Sequence, residues 1–292
     1  MPSTPDVKQI LLDPPVVNYV AGTLVDMLQD RGYPKQAANR LSQDILRFAT
    51  SYGLIENYER RTHDYLEDAG FFATRSHPIF HRERTILGYV EPYLSGRILD
   101  VGCGSGIIDF ILAKQGHDVS MTDVFKHPSI KRPHPEFRPI TIEGKIDHPD
   151  NTFDTAMALT VLHHSDDPML TVQEMQRVMT AGGTGLFLES EYGISTENAV
   201  MPRRDLQLAR FLALSPDQQR GGNAFFDHFY NRVLDYTEHT SEKINVPCNF
   251  FTPADLNHLL ERNRLVPVHT IHLDFDRDTA PMYHVLHVAR KA

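Results

Sequence analysis

Residues 98–106 (Ile-Leu-Asp-Val-Gly-Cys-Gly-Ser-Gly) constrain this chain more than any other stretch, because they run a short apolar strand straight into a turn of alternating glycines. Ile98, Leu99 and Val101 supply the strand. Gly102, Gly104 and Gly106 admit backbone dihedrals that a Cβ forbids and let the main chain approach a ligand closely. Ile107, Ile108, Ile111 and Leu112 then recur at helical spacing up to Gly116, which is placed as a C-terminal cap. Strand, glycine turn and helix make the first unit of a doubly wound α/β sheet, with free N–H groups at the helix start facing a ligand.

Two nucleotide-type ligands compete for such a turn. The dinucleotide frame Gly-x-Gly-x-x-Gly/Ala, started at Gly102, needs a small residue at position 107, and this chain has Ile107. The glycines fall at every second position instead, with Asp100 two residues ahead of them. Residues 117–122 read as a second strand, Val119 and Met121 on one face, ending at Asp123. A carboxylate at that tip is suited to ribose hydroxyls. It points to an adenosyl ligand without choosing between the two.

The pattern Asp100-x-Gly102-x-Gly104-x-Gly106 resembles the signature of the class I S-adenosylmethionine-dependent methyltransferases. In that family the turn packs on the methionine half of a cofactor that has no pyrophosphate. Downstream, Asp150-Asn-Thr-Phe-Asp154 opens an apolar fourth strand over Thr155–Leu162, followed by His163-His164-Ser-Asp-Asp-Pro168. Asp167 is an N-cap with Pro168 at the first helical position, and the helix carrying Leu170, Met175 and Val178 is expected to end near Gly182-Gly183. Thr184–Ser190 reads as a fifth strand. In this order, over residues 97–190, the motifs look like those of small-molecule methyltransferases of the ubiquinone/menaquinone type. The resemblance implies a Rossmann-like, seven-stranded doubly wound sheet with an antiparallel last strand and S-adenosyl-L-methionine as cofactor. It also implies cofactor contacts from Asp100, Gly102, Cys103, Gly104, Gly106, Asp123, Val124, Lys145, Ile146 and Thr160. Thr141–Asp147 departs from the pattern, being short and lacking a Gly-Asp after the third strand, so Gly144, Lys145 and Ile146 are candidates only for the adenine contact.

At 292 residues and 41% apolar content, the chain can build one large domain or two smaller ones. A net charge of −9 disfavours a phosphate-tracking surface, hence nucleic acid. Two cysteines give neither a disulfide framework nor a Cys-rich zinc site, and neither a charged leader nor an apolar run of roughly 18 residues is present, so a cytoplasmic protein without a membrane span is expected. Sixteen histidines raise the question of a metal. His77 and His81 have i, i+4 spacing, but Pro78 biases His77 away from helix, and no His-Glu-x-x-His occurs, so no metal is expected.

Residues 1–95 read as a helical cap, with stripes Val17, Val20, Leu24, Leu28 and Ala37, Leu41, Ile45, Phe48, and a third stretch carrying Ile55, Tyr58, Tyr65 and Leu66. Those helices offer a surface for a homodimer. Residues 96–190 form the cofactor-binding core, and 191–250 a helical lid. That lid is expected to hold helices over Pro202–Leu214 and Asn223–Asp235, with Arg220-Gly-Gly-Asn223 between them. Residues 251–292 complete the sheet through a helix opened by Thr252-Pro-Ala-Asp255 and strands over Val266–Phe275 and Tyr283–Ala289. His163, His164 and Glu191 are the candidate proton acceptors, with Glu189 and Tyr192 as alternatives. Tyr192, Phe225, Phe226, His228, Phe229 and Tyr230 are candidates to line an acceptor pocket, anchored by Asp227 or His228. The expected reaction is methyl transfer to an O, N or C atom of a small metabolite, with aromatic and secondary-metabolite intermediates among the acceptors. The alternatives are an NAD-type oxidoreductase and a non-catalytic binding or assembly protein on the same fold.

Overall fold

A computed structural model describes residues 6–73, 81–130, 135–199, 206–238, 243–276 and 281–292. His77 and the expected helix start at Pro202 lie outside them. The described chain divides into two compact units, one drawn from residues 1–79, 191–248 and 274–283, the other from 80–190, 249–273 and 284–292.

The second unit is built on a seven-stranded sheet. Its strands are β1 (Arg97–Val101), β2 (Asp118–Asp123), β3 (Glu136–Pro139), β4 (Phe153–Leu159), β5 (Met179–Ser190), β6 (Leu265–Asp276) and β7 (Met282–Lys291), in the spatial order β3-β2-β1-β4-β5-β7-β6. β1 to β5 pair in parallel and β7 runs antiparallel to β5, as the glycine turn and the terminal strand pair predict. The order reverses at β1, so the crevice beyond the carboxyl ends of β1 and β4 is the topological switch point where ligands bind in such sheets. Both faces are covered, which is why the central strands are apolar throughout rather than alternating. On one face Leu99, Val101, Ala156, Phe187 and Ala289 pack with α7 (Pro168–Val178) and α10 (Pro253–Arg262). On the other, Ile98, Met157, Leu186 and Val288 pack with α5 (His81–Val90) and α6 (Ile107–Lys114).

Two local expectations need correction here. β4 stops at Leu159 rather than Leu162, because Thr160 takes φ +61° and Leu162–His164 form a 3-10 turn. α7 stops at Val178, and Gly182-Gly183 lie inside β5 instead of capping the helix. A Cβ at Gly183 would sit 2.9 Å from the Thr180 carbonyl oxygen and 3.1 Å from that of Asp154, so this glycine serves a close strand-to-strand approach.

The first unit is helical: α1 (Val7–Ile10), α2 (Pro14–Asp30), α3 (Lys35–Ser51), α4 (Ile55–Asp68), α8 (Leu206–Leu212) and α9 (Pro216–His228), the last running on as a π-helical segment over Phe229–Leu234. Arg220-Gly-Gly-Asn223 is inside α9, not a break before it. A capping box at Ser215 and Gln218 starts the helix with Pro216 at its first turn, and the glycines allow close packing: a Cβ at Gly222 would come 2.7 Å from Tyr19 Cε1. No helix among the described residues is long and apolar enough to cross a membrane.

Candidate functional site

The glycine turn is held by the strand beside it. The Gly102 and Cys103 N–H groups donate to the Thr122 carbonyl at 2.8 and 3.3 Å, and the Gly104 N–H donates to Asp123 Oδ2 at 2.9 Å. Gly102, at φ +75°, is pressed against the segment after β4, since a Cβ there would lie 2.5 Å from Val161 Cγ2. Gly104, at φ +51°, has nothing within 4 Å of the same position, so the turn presents bare backbone to open space there. Gly106 is the left-handed N-cap of α6, which needs glycine for its φ of +71°.

Behind the turn lies a pair of acids. Asp100 on β1 is 4% exposed and Asp109 on α6 is fully buried, and their carboxyls hydrogen-bond to each other. Burial, reinforced by Asp109 and Asp123, pushes Asp100 well above the usual carboxylate range, and burial pushes Asp109 up to about 7. The same burial and negative charge raise the Cys103 thiol, which keeps it protonated. At the end of β2, Asp123 is followed by Val124, 78% exposed, and Phe125, 45% exposed. The Phe125 N–H also reaches Asp123 Oδ1 at 3.4 Å.

A second framework fixes the segment beyond β4. Glu189, fully buried on β5, accepts from the Val161 N–H at 2.9 Å and the Leu162 N–H at 2.7 Å through one oxygen, and its other oxygen lies 2.6 Å from His163 Nδ1. Burial opposes its ionisation, but His163 and the two backbone donors hold it below the ordinary glutamate value. An ionised Glu189 can only accept, so Nδ1 of His163 carries the proton and Nε2 is the basic nitrogen of the neutral ring. The ring stacks on Phe250 (5.3 Å, 17°), and the Asn249 N–H donates to the His163 carbonyl at 3.2 Å. Thr160 keeps its strained φ under these restraints, its N–H donating to the Leu188 carbonyl at 2.6 Å and its hydroxyl receiving Arg82 Nη2 at 3.4 Å.

With this geometry in view, the family model for a methyltransferase domain matches residues 99–187. Residues 99–187 are a methyltransferase domain of the class I, S-adenosylmethionine-dependent kind. The ubiquinone biosynthesis O-methyltransferase of Alkalilimnicola ehrlichii is 34% identical over 113 residues, covering 35% of this chain and 46% of that protein. Its counterpart from Paracidovorax citrulli is 30% identical over 114 residues, with 35% and 48% coverage. The chain thus spans about half the length of the curated relatives it matches. Among solved structures, a possible histamine N-methyltransferase from Thermotoga maritima is 16% identical at a TM-score of 0.49, covering 80% of this chain and 98% of that one.

The residues of the methyltransferase domain fit its cofactor, S-adenosylmethionine. Bare backbone at Gly104 suits the methionyl end, Asp123 a ribose diol, and the exposed Val124 an apolar purine face. The turn residues, Asp123, Val124 and Thr160 all lie at the carboxyl ends of β1, β2 and β4. Lys145 is exposed, whereas the Ile146 side chain sits in the core and its N–H donates to Glu174 at 3.0 Å. A depression of about 350 Å³ beside Arg97, His117 and Asp118 lies at the opposite, amino-terminal ends of β1 and β2, away from this site.

His163, His164 and Glu189 belong to the sheet unit; Glu191, Tyr192 and the aromatic cluster belong to the helical one. Phe225, Phe226 and Phe229 are at most 1% exposed and pack on one another and on Tyr19, so they are core rather than pocket lining. His228 is equally buried, while Tyr230 and Tyr192 are half-buried, the latter with the Arg220 guanidinium 5.9 Å above its ring. Asp109 escaped the sequence reading. Its signal was an acid inside the apolar run Ile107–Leu112.

Proposed function

We propose that the protein transfers the methyl group of S-adenosylmethionine to an oxygen, nitrogen or carbon atom of a small-molecule acceptor. The observation that carries this reading is the tie between turn and acid, in which the Gly104 N–H fixes the Asp123 carboxylate beside an exposed apolar side chain at the sheet's switch point. Asp100, Gly102, Cys103, Gly104, Gly106, Asp123, Val124 and Thr160 are the proposed cofactor residues, with Lys145 at the rim.

Methyl transfer from a sulfonium is a displacement at carbon, so alignment of nucleophile, methyl and sulfur supplies most of the acceleration, about 7–11 kcal/mol in well-oriented systems. A base is needed only where the acceptor must lose a proton. His163 is the proposed proton acceptor in that case. Glu189 sets its tautomer and stabilises the imidazolium as the proton arrives, while His164 and Glu191 remain candidates of the same kind. The helical unit is proposed to select the acceptor.

The test is formation of S-adenosylhomocysteine, read by mass spectrometry, from the full chain, S-adenosylmethionine and a panel of phenols, amines and activated carbon acids. Acceptor-dependent product that disappears in Asp123→Ala supports the proposal. Turnover undiminished in Asp123→Ala contradicts it.

A further inference from the structure

The helical unit holds a second constellation that methyl transfer does not use. Glu59, fully buried on α4, meets His228 Nε2 at 3.0 Å, Arg232 at 3.3 Å and Lys243 Nζ at 3.7 Å. Among the described residues these three are the groups that hold it ionised, and the Tyr58 and Tyr236 hydroxyls also feel its charge. Arg232 and Lys243 bring two positive charges against one carboxylate, so the cluster carries an excess of one positive charge before His228 is counted. The Tyr58 ring stacks on His228 (5.8 Å, 15°), and Thr62 lies one turn further along the same face of α4.

Among the described residues, four polar atoms of this interface have no hydrogen-bond partner: Tyr58 Oη, Thr62 Oγ1, Arg232 Nε and His228 Nδ1. The first three are hydrogen-bond donors. A buried donor left without a partner keeps the full cost of its lost hydration, so three together are a large standing penalty for a marginally stable protein. Packing alone does not demand it, since phenylalanine and valine would fill the same space without the penalty. The segment opposite α4 is also irregular. His228 and Arg232 straddle the start of the π-helical stretch Phe229–Leu234, a distortion found mostly at functional sites. Uncommitted donors, an uncompensated positive charge and a locally rewound helix share one requirement, an acceptor-rich anion.

We propose that the interface between α4 and the Phe229–Leu234 segment binds a small oxyanion, a carboxylate or phosphate group, through Tyr58, Thr62 and Arg232. The site lies wholly within the helical unit and stands whether or not the sheet unit transfers methyl groups. The anion receives the Tyr58 and Thr62 hydroxyls and the Arg232 Nε–H, and neutralises the charge that Glu59 leaves over. Lys243 meets Glu59 Oε2 at 3.7 Å and completes the charge balance.

Thermal unfolding of the full chain is measured against sodium benzoate, sodium phosphate, uncharged benzamide, and sodium chloride at matched ionic strength. A saturable rise with benzoate or phosphate beyond that of chloride and benzamide is expected, because a ligand that binds only the folded state raises its midpoint. The larger response identifies the group as carboxylate or phosphate. Tyr58→Phe and Thr62→Val lose only an orphan hydroxyl, so each should unfold no earlier than the native protein without anion, yet need roughly tenfold more anion for half of the rise. No rise beyond chloride, or variants that respond as the native protein does, overturns the proposal. Titration with S-adenosylhomocysteine keeps the two assignments apart. Intact cofactor binding without an anion response defeats this site alone, and an anion response without cofactor binding defeats the methyltransferase assignment alone.

Discussion

Asp109→Asn should leave stability nearly unchanged at about pH 4 and raise it at about pH 8. In the folded protein burial keeps the Asp109 carboxyl protonated up to about pH 7. In the unfolded chain the same group ionises at about pH 3.9. Between those values Asp109 carries a proton in the folded state that it lacks in the unfolded state, so its contribution to stability falls as pH rises, by about 1.4 kcal/mol per pH unit. Over roughly three units the loss approaches 4 kcal/mol, complete once pH has risen through about 7. Below about pH 4 both states are protonated and the contribution is fully present. Asparagine offers Asp100 an N–H in place of the acid O–H and does not titrate, so the variant escapes this loss. Urea unfolding followed by far-UV circular dichroism, repeated across that range, should show the native midpoint falling with pH and the variant midpoint falling much less. Parallel pH profiles for the two proteins would refute the burial-raised titration of Asp109.

Gly102→Ala places a Cβ 2.5 Å from Val161 Cγ2 at a φ of +75°, so left-handed strain of about 1–2 kcal/mol adds to overpacking of about 1–3 kcal/mol; a lowered thermal midpoint together with weakened S-adenosylhomocysteine binding is expected. Glu189→Gln removes the ionised acceptor for two backbone N–H groups and for His163, so kcat toward an acceptor that must lose a proton should fall about a hundredfold or more while cofactor affinity holds within a few fold; steady-state kinetics beside calorimetry separates the two. Gly222→Ala drives a Cβ to 2.7 Å from Tyr19 and should lower the unfolding midpoint of the helical unit by the equivalent of about 1–3 kcal/mol without altering cofactor affinity.

The sheet and the cofactor turn were legible because their signals are local. A glycine that must take positive φ, an acid at a strand tip and an apolar run bounded by turn residues each announce themselves within about ten positions. The misread features depend on partners far along the chain. Gly221 and Gly222 look like a break, yet Gly222 admits Tyr19 and Gly221 faces Ile10 and Val16, partners about two hundred positions earlier in the chain. Gly182-Gly183 reads as a helix cap, but the backbone of Asp154 claims that space for a strand. Thr160 shows no sequence sign of its left-handed φ, because the restraint comes from Leu188 and from Glu189 through the residues after it. The aromatic run 225–230 is equally mute about what surrounds it: helical spacing alone does not distinguish core from pocket, and the described packing on Tyr19 decides for core. Burial raises the Asp100 and Asp109 carboxyls together, which neither residue type predicts by itself.

The central claim is that residues 98–125 hold S-adenosylmethionine, and calorimetric titration of the full chain tests it most directly. S-adenosylmethionine and S-adenosylhomocysteine should bind saturably, NAD should not, and Asp123→Ala should weaken binding by roughly ten- to a hundredfold, the worth of a hydrogen bond to a charged group. Tight binding of NAD with none of S-adenosylmethionine would contradict the account at its base.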